Sequence, residues 1–463
     1  AQTGTSGTVS NTAVGYQAGV AITKGRYNTI IGKGALKVED VGDETTAVGV
    51  DALGSQNSDS DNEITGNVGV GKDTGFYNVT GQNNTWVGYK AGAGASGQSN
   101  SNNTGIGKDA LLAVTTGGNN VVVGATALDA MQAGSDNIAI GYAALGDLNH
   151  ASATRNIAIG NYAGDGMSTL ANLDNVFMGY DAGGGGWTGT LSSYNVGIGN
   201  YTLDAIMNGA VYNIAVGHTA LSENTTGSAN IGVGAYAGAN NTTGTHNVAI
   251  GSNDGTTWMG ALQQNTVGKY NIAIGTAALS LANEDDNDGT VAIGHLACKV
   301  QAGTGGSQFA NATVGIGYKA LTALTTGVKN TAIGYDAMGD ALQSYNNVAI
   351  GYESLNALAG DDINNAGGNN IAIGVDSMGS LNAGVHGSAR ANMNIAIGTS
   401  AFLAGSMADS SASVSQGNVC IGHEAAMTTG TNAQVGITAI GHRALKALTT
   451  GAGNTAIGYQ AMT

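Results

Sequence analysis

Asn137-Ile138-Ala139-Ile140-Gly141-Tyr142-Ala143-Ala144-Leu145 decides the fold, because its first five residues recur along the whole chain. The first copy is Asn11-Thr12-Ala13-Val14-Gly15 and the last Asn454-Thr455-Ala456-Ile457-Gly458, with 24 in all. We number the Asn as position 0. Asn fills it in 20 of 24 copies, the exceptions being Thr45, Thr290, Thr313 and Ile437. Position 1 is always Thr, Val or Ile. Position 3 is Val or Ile except at Met178, and position 4 is always Gly. Position 2 is usually Ala or Gly, and position 8 mostly Leu or Gly. Ten of the 23 intervals between copies are 17 residues and none is shorter, so 17 residues is one complete turn of a stacked repeat.

Alternation over a short stretch rich in β-branched residues predicts one strand per copy. Positions 1 and 3 are expected to face a core, and Gly at position 4 to turn a corner. A second corner is expected at the Gly three residues before the next Asn, as in Thr225-Thr226-Gly227 and Thr449-Thr450-Gly451. The expected fold is all-β: a left-handed parallel β-solenoid (β-roll) of about 24 coils with a 17-residue basic repeat. At about 4.8 Å per coil it would be an elongated rod of roughly 115 Å. A single domain is expected over 1–463, with larger loop insertions concentrated in 250–420. Asn at position 0 is expected to stack as a ladder.

The small residues at positions 2 and 4 are then expected to look outward. Ile30, Trp86, Val122, Phe177 and Cys420 also stand at position 2, which suggests that this face is covered. Packing of several copies through it, as a trimer about a long axis, accounts for both facts.

Composition narrows the function classes. The chain holds 78 Gly and no Pro, as suits a continuous ladder that uses most backbone N–H groups. A formal charge of −16 disfavours nucleic acid and anionic membranes as partners. No apolar run is long enough to insert in a membrane. Cys298 and Cys420 stand in different copies and are expected to be buried rather than bonded. Ala1-Gln2-Thr3 is compatible with a processed end. The last copy runs almost to Thr463, which suggests a piece of a longer fibre or end-to-end joining.

The Asn-Ile-Ala-Ile-Gly-Tyr-x-Ala-Leu pattern and its Thr-Thr-Gly corner resemble the "NTAIGYxAL" repeats of phage tail fibres and bacterial surface fibres. They are also similar to the head β-roll repeats of trimeric autotransporter adhesins. The resemblance covers essentially the whole chain. It implies attachment or structural roles on a cell or virion surface, and no catalytic residues. Adhesin heads repeat at about 14 residues, shorter than this coil, so their trimer geometry does not carry over.

Ligand-binding candidates come from rows and insertions. Tyr recurs at position 5, including Tyr318, Tyr335 and Tyr352, and such a row could stack on sugars. Trp187, Trp258 and Phe309 fall in insertions, where a rigid scaffold would carry binding loops. Two acidic loops offer hard oxygen ligands at the alternate spacing that calcium takes: Asp59, Asp61 and Glu63, and Asp285, Asp286 and Asp288. Calcium is the only cofactor considered.

The leading expectation is a non-catalytic structural rod of an extracellular fibre or filament, a phage fibre shaft or a cell-surface filament, with adhesive loops. Self-association, as a trimer or an end-to-end filament, and host or environmental glycans are the expected partners. A second class is a glycan-binding or glycan-cleaving fibre acting on host surface polysaccharide through carboxylates of adjacent coils. Ice or mineral binding ranks low, because Thr at position 1 is expected to point inward.

Overall fold

The computed structural model describes residues 10–255, 259–282, 288–300, 312–325, 327–358, 367–381, 390–403, 414–428, 434–449 and 451–463. The chain divides into two compact units, Ala1–Ser228 and Ala229–Thr463. Each is a parallel β-solenoid, and no helix occurs among the described residues. The first unit stacks 12 three-residue strands, from β1 (Thr12–Val14) to β12 (Ile214–Val216). Neighbours are parallel and in register: Val121 lies opposite Ile138, and Ile138 opposite Ile157. The second unit stacks 12 more repeat strands, from Ile231–Val233 to Thr455–Ile457. It adds a parallel sheet of five short strands: Ser344–Tyr345, Gly367–Gly368, Arg390–Asn392, Val414–Gln416 and Gln434–Val435.

Three features hold each coil to the next. The first is the Asn ladder. The backbone N–H of Asn137 donates to Asn120 Oδ1 at 3.0 Å, and that of Asn156 to Asn137 Oδ1 at 3.0 Å. Asn137 Nδ2 also donates to Asn120 Oδ1 at 3.2 Å and to the Ala153 carbonyl at 3.1 Å. One buried amide thus ties the strand start to the coil before it and to the corner of the coil after it.

The second feature is a column of glycines. Gly141 has φ +138°, and a Cβ there would sit 2.4 Å from the Gly160 carbonyl oxygen. The backbones approach too closely at position 4 for any side chain. The third is unusual backbone at three non-glycine positions per coil. Asp136, Ala143 and Leu145, at positions −1, 6 and 8, have φ of 60°, 53° and 52°. Each left-handed residue costs about 1–2 kcal/mol, and the pattern lets a short coil turn sharply enough to return to its ladder.

The phase of the strand is the reverse of the expectation. Positions 0 and 2 face in: Asn137 and Ala139 are fully buried. Positions 1 and 3 face out, and Ile140 is 36 % exposed. The interior is narrow and already holds the Asn ladder and the side chain of position 8, so position 2 is mostly a small residue. A Cβ on Gly69 would lie 2.8 Å from Leu53 Cγ. The Ala/Gly row is therefore core, not a face through which copies pack.

Ile30 and Val122 are buried in coils that keep Leu36 and Leu128, and the two largest residues at position 2 are matched by glycine. Trp86 is fully buried, and its coil carries Gly92 rather than Leu at position 8. A Cβ on Gly92 would lie 2.3 Å from the indole, and one on Gly105 in the next strand 2.6 Å. Phe177 is matched in the same way by Gly183 and Gly197, each with a Cβ position within 2.9 Å of the ring. Cys298 and Cys420 are buried and unpaired, as expected, and burial pushes both thiols up to about 12.

Gly141→Ala is expected to destabilise the protein by about 3 kcal/mol or more, through strain at positive φ and the clash with the next coil. Gly186 has nothing within 4 Å of its Cβ position, and Gly186→Ala should stay within about 0.5 kcal/mol of the parent. Thermal or denaturant melts of the two variants test this. Equal effects would remove the close-approach argument.

Candidate ligand-binding surfaces

With positions 1 and 3 outward, positions −1 and 5 flank them on the same side of each strand. Aromatic residues line both flanks. In the first unit Tyr142, Tyr162, Tyr180, Tyr201 and His218 follow one another edge to face, with centroids 5.3, 5.8, 5.5 and 5.8 Å apart. Tyr162 and Tyr201 stand at position 6, not 5, which is why a reading of position 5 alone misses them. On the other flank Tyr194 and Tyr212, both at position −1, stack at 4.9 Å. In the second unit His246 and Tyr270 do the same at 5.1 Å. The residue just before the Asn was the sequence signal for this second row.

The three tyrosines singled out from the sequence lie together in the second unit. Tyr318, Tyr335 and Tyr352 are 39, 46 and 47 % exposed. His295, Tyr318, Tyr335 and Tyr352 form one stack with centroids 5.6, 5.0 and 5.1 Å apart. The coil spacing of about 4.8 Å brings each ring onto the next. Both faces of Tyr318 and Tyr335 are therefore occupied by neighbouring rings. What they offer a ligand is ring edge and hydroxyl, not a free stacking face.

Trp187 is 1 % exposed and packs edge to face on Phe177 at 5.7 Å, so it belongs to the core of the first unit. Trp258 and Phe309 lie outside the described residues. Phe76 and Tyr77, 4.7 Å apart edge to face, line a shallow groove with Asp73, Lys90, Ala93 and Leu112, which the repeat pattern does not reveal.

The first acidic loop is committed to other contacts. Glu63 Oε2 accepts the backbone N–H of Asp59 at 3.0 Å and of Ser60 at 3.3 Å, closing its own turn. Its other oxygen takes the Gln82 side-chain amide, and Asp61 pairs with Lys24. Asp288 Oδ1 accepts the Lys269 backbone N–H at 2.6 Å, while Asp285 and Asp286 lie outside the described residues. Among the described residues no group of three His, Cys, Asp or Glu side chains is arranged to hold a metal ion.

A different acidic row of the first unit runs over five successive coils, close to position 8 of each: Asp129, Asp147, Asp165, Asp181 and Asp204. Burial, then the charges of Asp181 and Asp147, pushes the Asp165 carboxyl up to about 6. Burial, then Asp181 and Glu223, does the same for Asp204, to about 6. Asp129 moves upward too, through burial first. These groups bind protons more tightly folded than unfolded. Their stabilising contribution is therefore fully present below about pH 4 and lost as pH rises through about 6.

A scan of protein-family models finds none that matches the chain, and a search of curated proteins finds no significant relative.

Wild-type protein is expected to melt higher at pH 5 than at pH 7.5, and the double variant Asp165→Asn/Asp204→Asn to show most of that difference abolished. Scanning calorimetry across the two buffers measures it. An unchanged pH difference in the variant would place the dependence elsewhere.

Proposed function

We propose that the protein is a non-catalytic structural scaffold of an extracellular fibre or filament. The observation that carries this reading is that every coil commits recurrent positions to joining it to the next. Asn at 0, the small residue at 2 and Gly at 4 all serve the bonds between one coil and the next. Repetition of that investment in every coil makes a stiff ladder rather than a single concave site. The surface positions that vary, and the insertions, are left for adhesion. A net charge of −16 keeps such a scaffold soluble.

The alternative, a glycan-cleaving fibre, draws on the half-buried carboxylates with raised pKa in the first unit. Successive-coil carboxylates at such pKa values have the protonation behaviour of a general acid. The two readings separate in one assay. Full-length protein incubated at pH 5 to 7 with bacterial capsular and cell-wall polysaccharides should release no reducing ends above a heat-denatured control. Sustained release, lost in Asp165→Asn/Asp204→Asn, would replace the scaffold reading with the glycosidase.

A further inference from the structure

The outward face of the strands is left without a partner by the fold. Every position 1 is Thr, Val or Ile, and every position 3 is Val or Ile but for Met178. In the first unit Val70, Ile106, Val121, Ile140, Ile198 and Ile214 are 36 to 41 % exposed. No charged residue or amide interrupts the two rows. From strand β7 (Val121–Val123) to β12 both rows lack even a hydroxyl. The flanks are tyrosine, histidine and mixed charges, so the face has an apolar centre and a polar, aromatic rim, the composition of a protein interface.

We propose that this face is the contact between two copies of this chain, packed sheet on sheet. The three-residue strands make an apolar strip about 10 Å wide, which 12 coils carry for about 55 Å in the first unit, roughly 550 Å² before the flanking rows are counted. Exposed apolar patches beyond a few hundred Å² mark interaction sites, and the flanking rows bring the strip toward the roughly 800 Å² per partner of a specific interface. A second copy presents β-branched rows with the same coil spacing, so side chains of one fit between those of the other at about 10 Å sheet separation. A saccharide finds few hydrogen-bond partners on this apolar floor, where positions 1 and 3 carry no charged or amide side chain. The inference deepens the scaffold reading by naming its partner, and rests on it.

The test uses Ile140→Lys/Ile198→Lys in the full chain, with far-UV circular dichroism and melting to show folding. Both side chains point to solvent in the single chain, so the fold should tolerate them. Light scattering should give two chain masses for the wild type and one for the variant, a twofold fall. A wild type at one chain mass, or a variant that keeps its multimer, overturns the proposal. Should the double variant not fold, Ile140→Cys supplies the readout. Cys298 and Cys420 are buried with thiols pushed up to about 12, so a short bis-maleimide should link two chains of this variant through the introduced thiol, and failure to link them counts against the contact. A monomeric wild type with thermal hysteresis that the lysines abolish would assign the face to ice and overturn the proposal. None of these masses bears on reducing-end release, so the scaffold reading fails or survives separately.

Discussion

The structure depends on one side-chain amide repeated at position 0. A strand of three residues offers too few backbone hydrogen bonds to define a coil, and the rest of each turn is bends. Asn supplies what is missing, because its oxygen accepts from the strand start of the next coil while its nitrogen reaches that coil's corner carbonyl. Inside a dry core such bonds carry more weight than in water, and leaving one unmade is costly. The exceptions show the cost. Where Thr45 interrupts the ladder, Gln56 enters the core, donating to Thr45 Oγ1 at 3.0 Å and accepting from Asn67 Nδ2 at 3.0 Å. Where Thr290 and Thr313 take the place of Asn, Asn271 Nδ2 and Thr313 Oγ1 are buried without a hydrogen-bond partner among the described residues.

Much of this architecture was legible in the sequence. The 17-residue period, the strand, the Gly corner and the Asn ladder follow from residue type and spacing. The phase of the strand did not follow, for a physical reason. Apolar β-branched residues are ordinarily the buried ones, and alternation says only that two sets face opposite ways, not which way. The deciding signal was a volume exchange. Trp86 and Phe177 at position 2 each coincide with Gly at position 8 of their own coil, Gly92 and Gly183, and only residues sharing one interior need to trade size. The left-handed residues at −1, 6 and 8 were not legible, since Asp136, Ala143 and Leu145 carry no common preference for that region.

The candidate site residues fared according to how much depended on their neighbours. Tyr318, Tyr335 and Tyr352 were correctly grouped by the period, but the spacing that aligns them also closes their faces against one another. Trp187 falls in an insertion, which pointed to a loop contact, but its ring packs edge to face on Phe177 in the core. The acidic row of Asp129 to Asp204 was not legible as a row, because its members stand at positions 6, 9 and 10 of their copies rather than at one.

That row also gives the uncharged face its meaning. The carboxylates of this row stand at positions 6, 9 and 10 of their copies, away from positions 1 and 3. Copies that approach with these rows facing each other meet repulsion, sharpened by half-burial in a medium that screens poorly. Copies that approach through the β-branched face meet no charge there and release water from apolar surface. If copies pair through the face proposed above, attraction and repulsion select the same orientation.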